Sequence, residues 1–232
     1  MLEHNTNTPS PALCLRVTRR FELTQSISAP PARSARTTII AALGLIAAIL
    51  YMLPVTDNIP WLSVLLKPIP VLCMALWLAV QPKKGRYQLL VIAGLILGAA
   101  GDVLLELEGL FIVGLLSFLL GHVAYILAFL QDSRKLFAGK ALIAYAYGAI
   151  MFAVLLTAGE LGAMTIPVAA YVLAICTMLW RGLSRLGVPG IKPRSAQAGA
   201  IGTVLFTISD TVLAFTMFVA PIPLSSWIIM LT

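Results

Sequence analysis

The chain has 232 residues, 60% of them hydrophobic and only 11% charged, less than half the charged share of an ordinary soluble domain. The apolar residues come in blocks of about 20, the length that crosses a bilayer as a helix, and they do not alternate with polar ones, which excludes an outer-membrane barrel. The formal net charge of +7 speaks in such a chain for loop placement, not for a nucleic-acid partner. The expected class is all-α: a polytopic transmembrane helical bundle.

Residues 1–36 are polar, with scattered Pro, Ser and Thr, and carry Arg16, Arg19, Arg20, Arg33 and Arg36. They read as a basic tail, disordered and cytoplasmic, or as an over-extended start of the reading frame. No apolar core lies early enough for a cleaved signal peptide. The Arg and Ser content also fits an organelle transit peptide, against which Glu3 and Glu22 count. The transmembrane domain is expected over 37–232. Its first span covers about 37–53, and the second, 61–80, contains Lys67-Pro68 and Pro70. The third and fourth cover 87–105 and 110–130, joined by the acidic turn Glu106-Leu107-Glu108-Gly109. The fifth and sixth cover 141–158 and 163–179, and the seventh 198–220. An eighth begins at 227 and stops at 232.

Apart from Lys67, every Lys and Arg falls in the tail or in the loops after spans two, four and six. The loops after spans one, three and five hold Asp57, Glu106, Glu108 and Glu160 instead. That alternation is the positive-inside pattern. It predicts a cytoplasmic N-terminus and an integral, multi-pass protein of a bacterial inner membrane.

Three ionisable residues lie where hydrocarbon should reject them. A charge at the bilayer centre costs roughly 3 kcal/mol on insertion scales, so such residues tend to face a bundle interior or a wet cavity. Asp102 shares a helix side with Gly94, Gly98 and Gly101 by spacings of four and three, and glycines there admit a neighbouring helix. It is either a functional carboxyl or a snorkelling one over a packing face, since Glu106 is only about 6 Å of helix rise away. His122 shares a side with Gly114, Phe118, Gly121 and Tyr125, and reads either as a hydrogen-bonded structural residue or as part of a site. Asp210 shares a side with Gly199, Gly202, Phe206, Ser209, Leu213 and Ala214. It lies more than two turns from either end of its run, and a carboxyl so deep needs a partner or a proton. Lys67 is the only basic residue within a span. It either snorkels or partners a carboxylate or a phosphate. Cys14, Cys73 and Cys176 lack metal-type spacing, and one intramembrane His without a thiolate pair makes a poor metal set. Ser209 points about 100° away from the adjacent Asp210, which disfavours a serine nucleophile. Two carboxyls held away from water can differ in protonation near neutral pH, which suits general acid–base hydrolysis. The same residues also suit a proton relay in a small proton-coupled transporter or channel, although no duplicated half or paired broken helices are visible.

The stretches Lys67-Pro68, Gly101-Asp102, Gly114-x₃-Phe118-x₂-Gly121-His122-x₂-Tyr125 and Gly202-x₃-Phe206-x₂-Ser209-Asp210-x₂-Leu213-Ala214 resemble the YhhN-like family of lysoplasmalogenases, from about the first span to the seventh. The resemblance implies eight transmembrane helices. It also implies hydrolysis of the vinyl ether bond of lysoplasmalogens to a fatty aldehyde and a glycerophospho-ethanolamine or -choline. The family's intramembrane aspartates map onto Asp102 and Asp210, and its motif His and Tyr onto His122 and Tyr125. Asp102, Asp210 and His122 are then the expected catalytic residues, and Lys67, Tyr125, Ser209, Phe118 and Phe206 the expected contacts of a lysophospholipid within membrane lipid. The chemistry requires neither metal nor organic cofactor. The family completes its eighth helix whereas this chain ends at Thr232, so an extended eighth helix is expected to raise stability and activity.

Overall fold

Helix α1 (Ala35–Tyr51) is followed by α2 (Pro60–Leu66), α3 (Ile69–Ala79), α4 (Arg86–Glu106), α5 (Phe111–Asp132) and α6 (Ala138–Ala158). A 3₁₀ turn (Gly162–Met164) then leads into α7 (Thr165–Leu183), α8 (Pro193–Phe218) and α9 (Ser225–Leu231). This computed structural model describes residues 35–53, 59–82, 85–222 and 225–231. The expectation for residues 1–34 of the tail lies outside them. Among the described residues there is no strand. Among the described residues, six helical stretches are long and apolar enough to cross a membrane, α2 and α3 together counting as one, and α1 is a shorter apolar helix. The protein is a multi-pass helical membrane protein, as its composition predicts.

The second span is broken at Lys67-Pro68. Pro68 has no amide hydrogen and its ring crowds the carbonyl four residues back. Helix α2 therefore ends at Leu66, and α3 restarts at Ile69 with Pro70 in its first turn, where a missing N–H does no harm. The break sets Lys67 at a joint and not in the middle of a regular helix.

Helices α4 and α5 form a hairpin around Gly109, whose φ of 77° lies in the left-handed region that other residues avoid. Between lipid-facing helices there is little hydrophobic drive, so close packing and hydrogen bonds must hold them. The sequence supplies glycines for that contact. A Cβ on Gly94 would come within 2.7 Å of the Tyr125 ring, one on Gly101 within 2.6 Å of the Phe118 ring, and one on Gly121 within 3.3 Å of the Gly94 carbonyl. Ser117 Oγ donates to the Leu97 carbonyl at 2.7 Å across the same contact. The opposite side of α5 exposes Leu116, Leu120, Val123 and Leu127, a leucine-rich stripe at helical spacing that suits lipid tails.

Helix α5 also packs on α7, which in turn meets α6 and α8, and α8 carries α9. The buried side of α8 is Ala196, Ala200, Thr203 and Thr207, whereas Gly202 stands open with nothing within 4 Å of a Cβ placed there. Of the two glycines on the glycine-rich side of this helix, Gly199 packs on the Arg185 guanidinium and Gly202 does not pack. Gly182 of α7 is the small residue facing the buried side: a Cβ on it would meet Thr203 Oγ1 at 2.6 Å. The threonines are tolerated inside because each hydroxyl reaches back along its own helix, Thr207 to the Thr203 carbonyl at 2.7 Å and Thr211 to that of Thr207 at 2.7 Å.

At the end of the bundle that carries the basic loops, helix α7 runs on to Leu183 and α8 starts at Pro193. The stretch read as a loop from 181 to 197 is thus helical at both ends, leaving a loop of 184–192, and two of its arginines are buried. Arg185 gives Nε and Nη2 to Asp132 Oδ2 at 2.9 and 2.6 Å. Its Nη1 reaches the Ser195 carbonyl at 3.1 Å, and its guanidinium lies over the rings of Tyr87 and Phe129. Arg181 donates to the carbonyls of Ser133 and Lys135 just past the end of α5. These residues fasten the basic end as well as carrying charge.

Candidate active site

Asp210 sits in the half of α8 nearer the acidic loops, eight residues before the helix ends at Phe218. The hydroxyl of Tyr171, buried on α7, donates to its Oδ2. His122 of α5 is fully buried, and its Nε2 lies 3.7 Å from the same oxygen. That separation is too long for a hydrogen bond. Neither nitrogen of His122 has a hydrogen-bond partner among the described residues. Its ring is held by edge-on contacts instead, 5.0 Å from the Tyr171 centroid and 5.1 Å from that of Phe206, a geometry favoured by the quadrupoles of the rings. Phe206 in turn meets Phe118 edge-on at 6.2 Å.

Asp210 and Tyr171 line a cavity of about 80 Å³ whose wall is otherwise almost wholly apolar. It runs from Gly148, Cys176 and Thr207 near the middle of their helices to Leu105, Phe111 and Phe218 at the acidic end. Its few other polar atoms are satisfied by one another. Thr211 gives its proton to the Thr207 carbonyl, so Tyr147, 2.6 Å from Thr211 Oγ1, is the donor of that pair. The chemistry of the wall is that of a slot for an alkyl chain with one carboxyl facing it.

The second carboxyl has a different setting. Asp102 lies one turn before the end of α4, with its Oδ1 3.9 Å from Lys67 Nζ. Lys67 also holds Glu106 Oε1 at 2.7 Å. Of its two expected partners, carboxylate or phosphate, Lys67 here has carboxylates. Asp102 is not part of the cavity wall, yet it lies within electrostatic reach of both Asp210 and Tyr171. Phe118 and Leu105, both cavity residues, stand beside it: Phe118 packs on Gly101, and Leu105 on Gly114.

Residues 62–232 match the model of the YhhN family. The chain belongs to that family. All of Lys67, Asp102, His122 and Asp210 lie inside the matched region. Among curated proteins, human lysoplasmalogenase TMEM86B is 36% identical over 180 residues, which cover 76% of this chain and 72% of that protein. Its pig counterpart is 32% identical over 190 residues, or 80% and 76% of the two chains. Human lysoplasmalogenase TMEM86A is 32% identical over 183 residues, or 74% and 73%. No solved structure matches.

In this YhhN-family protein the expected site residues fall into two groups and two outliers. Asp210, His122, Phe206 and Phe118 cluster together, with Asp210 and Phe118 in the cavity wall and His122 and Phe206 behind it. Asp102 and Lys67 form the second group with Glu106. Ser209 turns away, and its Oγ reaches the Ile229 carbonyl of α9 at 3.4 Å. Tyr125 packs on Gly94 and against the core of Phe129, Ile175, Cys176 and Met178, outside the cavity wall. Sequence reasoning missed Tyr171, the direct partner of Asp210, and gave no role to Glu106. A survey of every polar side chain within the spans would have raised Tyr147 and Tyr171. The ionisable residues drew notice first because hydrocarbon excludes them most strongly.

Proposed function

We propose that the protein hydrolyses the vinyl ether bond of lysoplasmalogens, releasing a fatty aldehyde and a glycerophospho-ethanolamine or -choline, with Asp102 and Asp210 as the acid–base pair. Its YhhN membership and its likeness to proteins named lysoplasmalogenase support the reaction. The observation that carries the reading of the site is the single carboxyl of Asp210 on an otherwise apolar slot. An isolated carboxylate in such surroundings is far costlier than the neutral acid. Asp210 is therefore the proton donor, and the Tyr171 hydroxyl, by occupying Oδ2, leaves the other oxygen to carry the proton. Asp102 stands beside the Lys67 ammonium and is the carboxylate of the pair.

The reaction balances on these two groups. Asp210 gives its proton to the β-carbon of the vinyl ether, and the π electrons form the new C–H bond, leaving an oxocarbenium ion. Water adds to the cationic carbon while Asp102 accepts a proton from it. The hemiacetal then collapses. Asp102 returns its proton to the glycerol oxygen as the C–O bond breaks, and Asp210 recovers a proton from the hemiacetal hydroxyl. Both groups end as they began. His122, whose Nε2 lies 3.7 Å from Asp210 Oδ2, is the positioning residue for Asp210. The alkenyl chain occupies the slot, and the polar end faces the acidic end of the bundle, where Lys67 lies.

The test is aldehyde release by the purified, monodisperse full chain from lysoplasmenyl-ethanolamine and -choline, with the saturated alkyl-ether analogues as controls. The alkyl ethers cannot form an oxocarbenium ion by carbon protonation and should release nothing. Failure to cleave either vinyl ether lipid overturns the substrate assignment. Cleavage of the alkyl ethers at a similar rate overturns the carbon-protonation route.

A further inference from the structure

Glu106 has no part in the chemistry above, yet it holds the closest ionic contact at the acidic end. Its Oε1 lies 2.7 Å from Lys67 Nζ, while Asp102 Oδ1 is 3.9 Å from the same nitrogen. The Lys67 side chain is 12% exposed and that of Glu106 32%, so the cluster opens to the outside through the glutamate. One ammonium faces two carboxylates, which leaves the cluster one negative charge in excess. Glu108, exposed in the following turn, adds to that sign. Leu105, the neighbour of Glu106 in the chain, lines the cavity at the same end. A lipid whose tail fills the slot with its polar end outward carries its head group to the same end of the bundle as this cluster.

A head group bearing phosphate alone would meet a lysine already neutralised and an acidic surplus. Like charge so close is repulsive even at the high effective dielectric of a protein surface. A phosphate joined through two carbons to an ammonium meets no such penalty, because it adds no net charge and offers a partner to each member of the pair. We infer that the Lys67–Glu106 pair is a head-group latch: the phosphate of a zwitterionic lysophospholipid takes over Lys67 while its ammonium takes over Glu106, so that Glu106 selects lipids carrying an ammonium. The exchange replaces one ion pair by two. The pair given up is partly exposed, and such pairs contribute little on their own. The inference rests on the lysophospholipid reading of this site but not on the bond that is cleaved there.

The test separates the two. Binding to the purified full chain is measured with two saturated alkyl-ether lysolipids that cannot turn over, one a phosphocholine and one a phosphatidate of the same chain. The wild type should bind the phosphocholine at least about tenfold more tightly, the worth of one charge-assisted contact. Glu106→Gln, which keeps the shape and removes the charge, should lose that preference: its phosphocholine affinity falls by about tenfold and its phosphatidate affinity holds or rises. Glu106→Asp should retain part of the preference, and Lys67→Gln should weaken both lipids. With the corresponding vinyl ether lipids, the Glu106→Gln effect should fall on KM more than on kcat. Equal binding of the two lipids by the wild type, or an undiminished preference in Glu106→Gln, overturns the latch. A preference that follows Glu106 in a protein that releases no aldehyde would leave the latch standing and sink the hydrolase reading instead.

Discussion

Asp102 and Asp210 are the same residue type on two apolar helices, and what distinguishes them is the next atom. Lys67 stands beside one and a phenol hydroxyl beside the other. Asparagine keeps the shape of each and cannot deliver or accept a carboxyl proton. If general acid–base work supplies about 10²- to 10⁴-fold, Asp102→Asn and Asp210→Asn should each lose at least about 100-fold in aldehyde release with the protein still monodisperse. A variant near wild-type turnover would make that aspartate structural. Tyr171→Phe removes only the hydroxyl that fixes Asp210 Oδ2. It should lower kcat by roughly tenfold, about the worth of one hydrogen bond to a polar partner, with KM little changed. A rise in KM alone would instead assign Tyr171 to lipid binding. The aspartates and His122 were legible in the sequence because their types are rare in hydrocarbon. Tyr171 was not, because tyrosine is amphipathic and gives no such contrast. Ser209, which the family resemblance made a lipid contact, points across to α9.

At the scale of elements, the α4–α5 hairpin places Asp102 beside the helix that carries His122. It is closed by Gly101 under the Phe118 ring, and Phe118 is also a wall of the cavity. A side chain at 101 must push that ring. Gly101→Val should therefore destabilise by about 1–3 kcal/mol, the usual range for overpacking, and should reduce turnover beyond what the loss of folded protein explains. Thermal unfolding and activity per folded molecule check both parts, and unchanged values would mean the ring moves freely. This contact was readable from glycine spacing alone. The packed side of α8 was not. Of the glycines that spacing singled out, Gly199 packs on Arg185 while Gly202 stands open, and the buried line is Ala196, Ala200, Thr203 and Thr207. A threonine whose hydroxyl bonds back along its own helix presents a nearly apolar surface, so its place inside is invisible to a count of polar residues. Pro68 and Pro70 were visible in the sequence within a stretch read as one span, and the break they make at Lys67-Pro68 came with the structure. Its consequence, a lysine turned toward α4, depended on which helix lay alongside.

For the whole molecule, charge segregation predicts orientation. The loops after α3, α5 and α7 carry the Lys and Arg, and those loops are expected on the cytoplasmic side. Single cysteines at Arg134 and Glu108 in an otherwise cysteine-free protein check this. Glu108→Cys should react with an impermeant reagent applied outside intact cells, and Arg134→Cys should not. Reaction of the second alone would invert the topology. The arginines after α7 have a further consequence, which concerns time. Asp132 and Arg185 are separated by 53 residues. At about 5–20 residues per second, the carboxylate leaves the ribosome roughly 3 to 10 s before the guanidinium that will bind it. During that interval α4 and α5 are already made, while the end that Tyr87, Phe129 and Asp132 share stands open. The early hairpin can insert alone, but its basic end is sealed only by helices synthesised later, which makes the nascent protein most vulnerable to membrane proteases between those two moments.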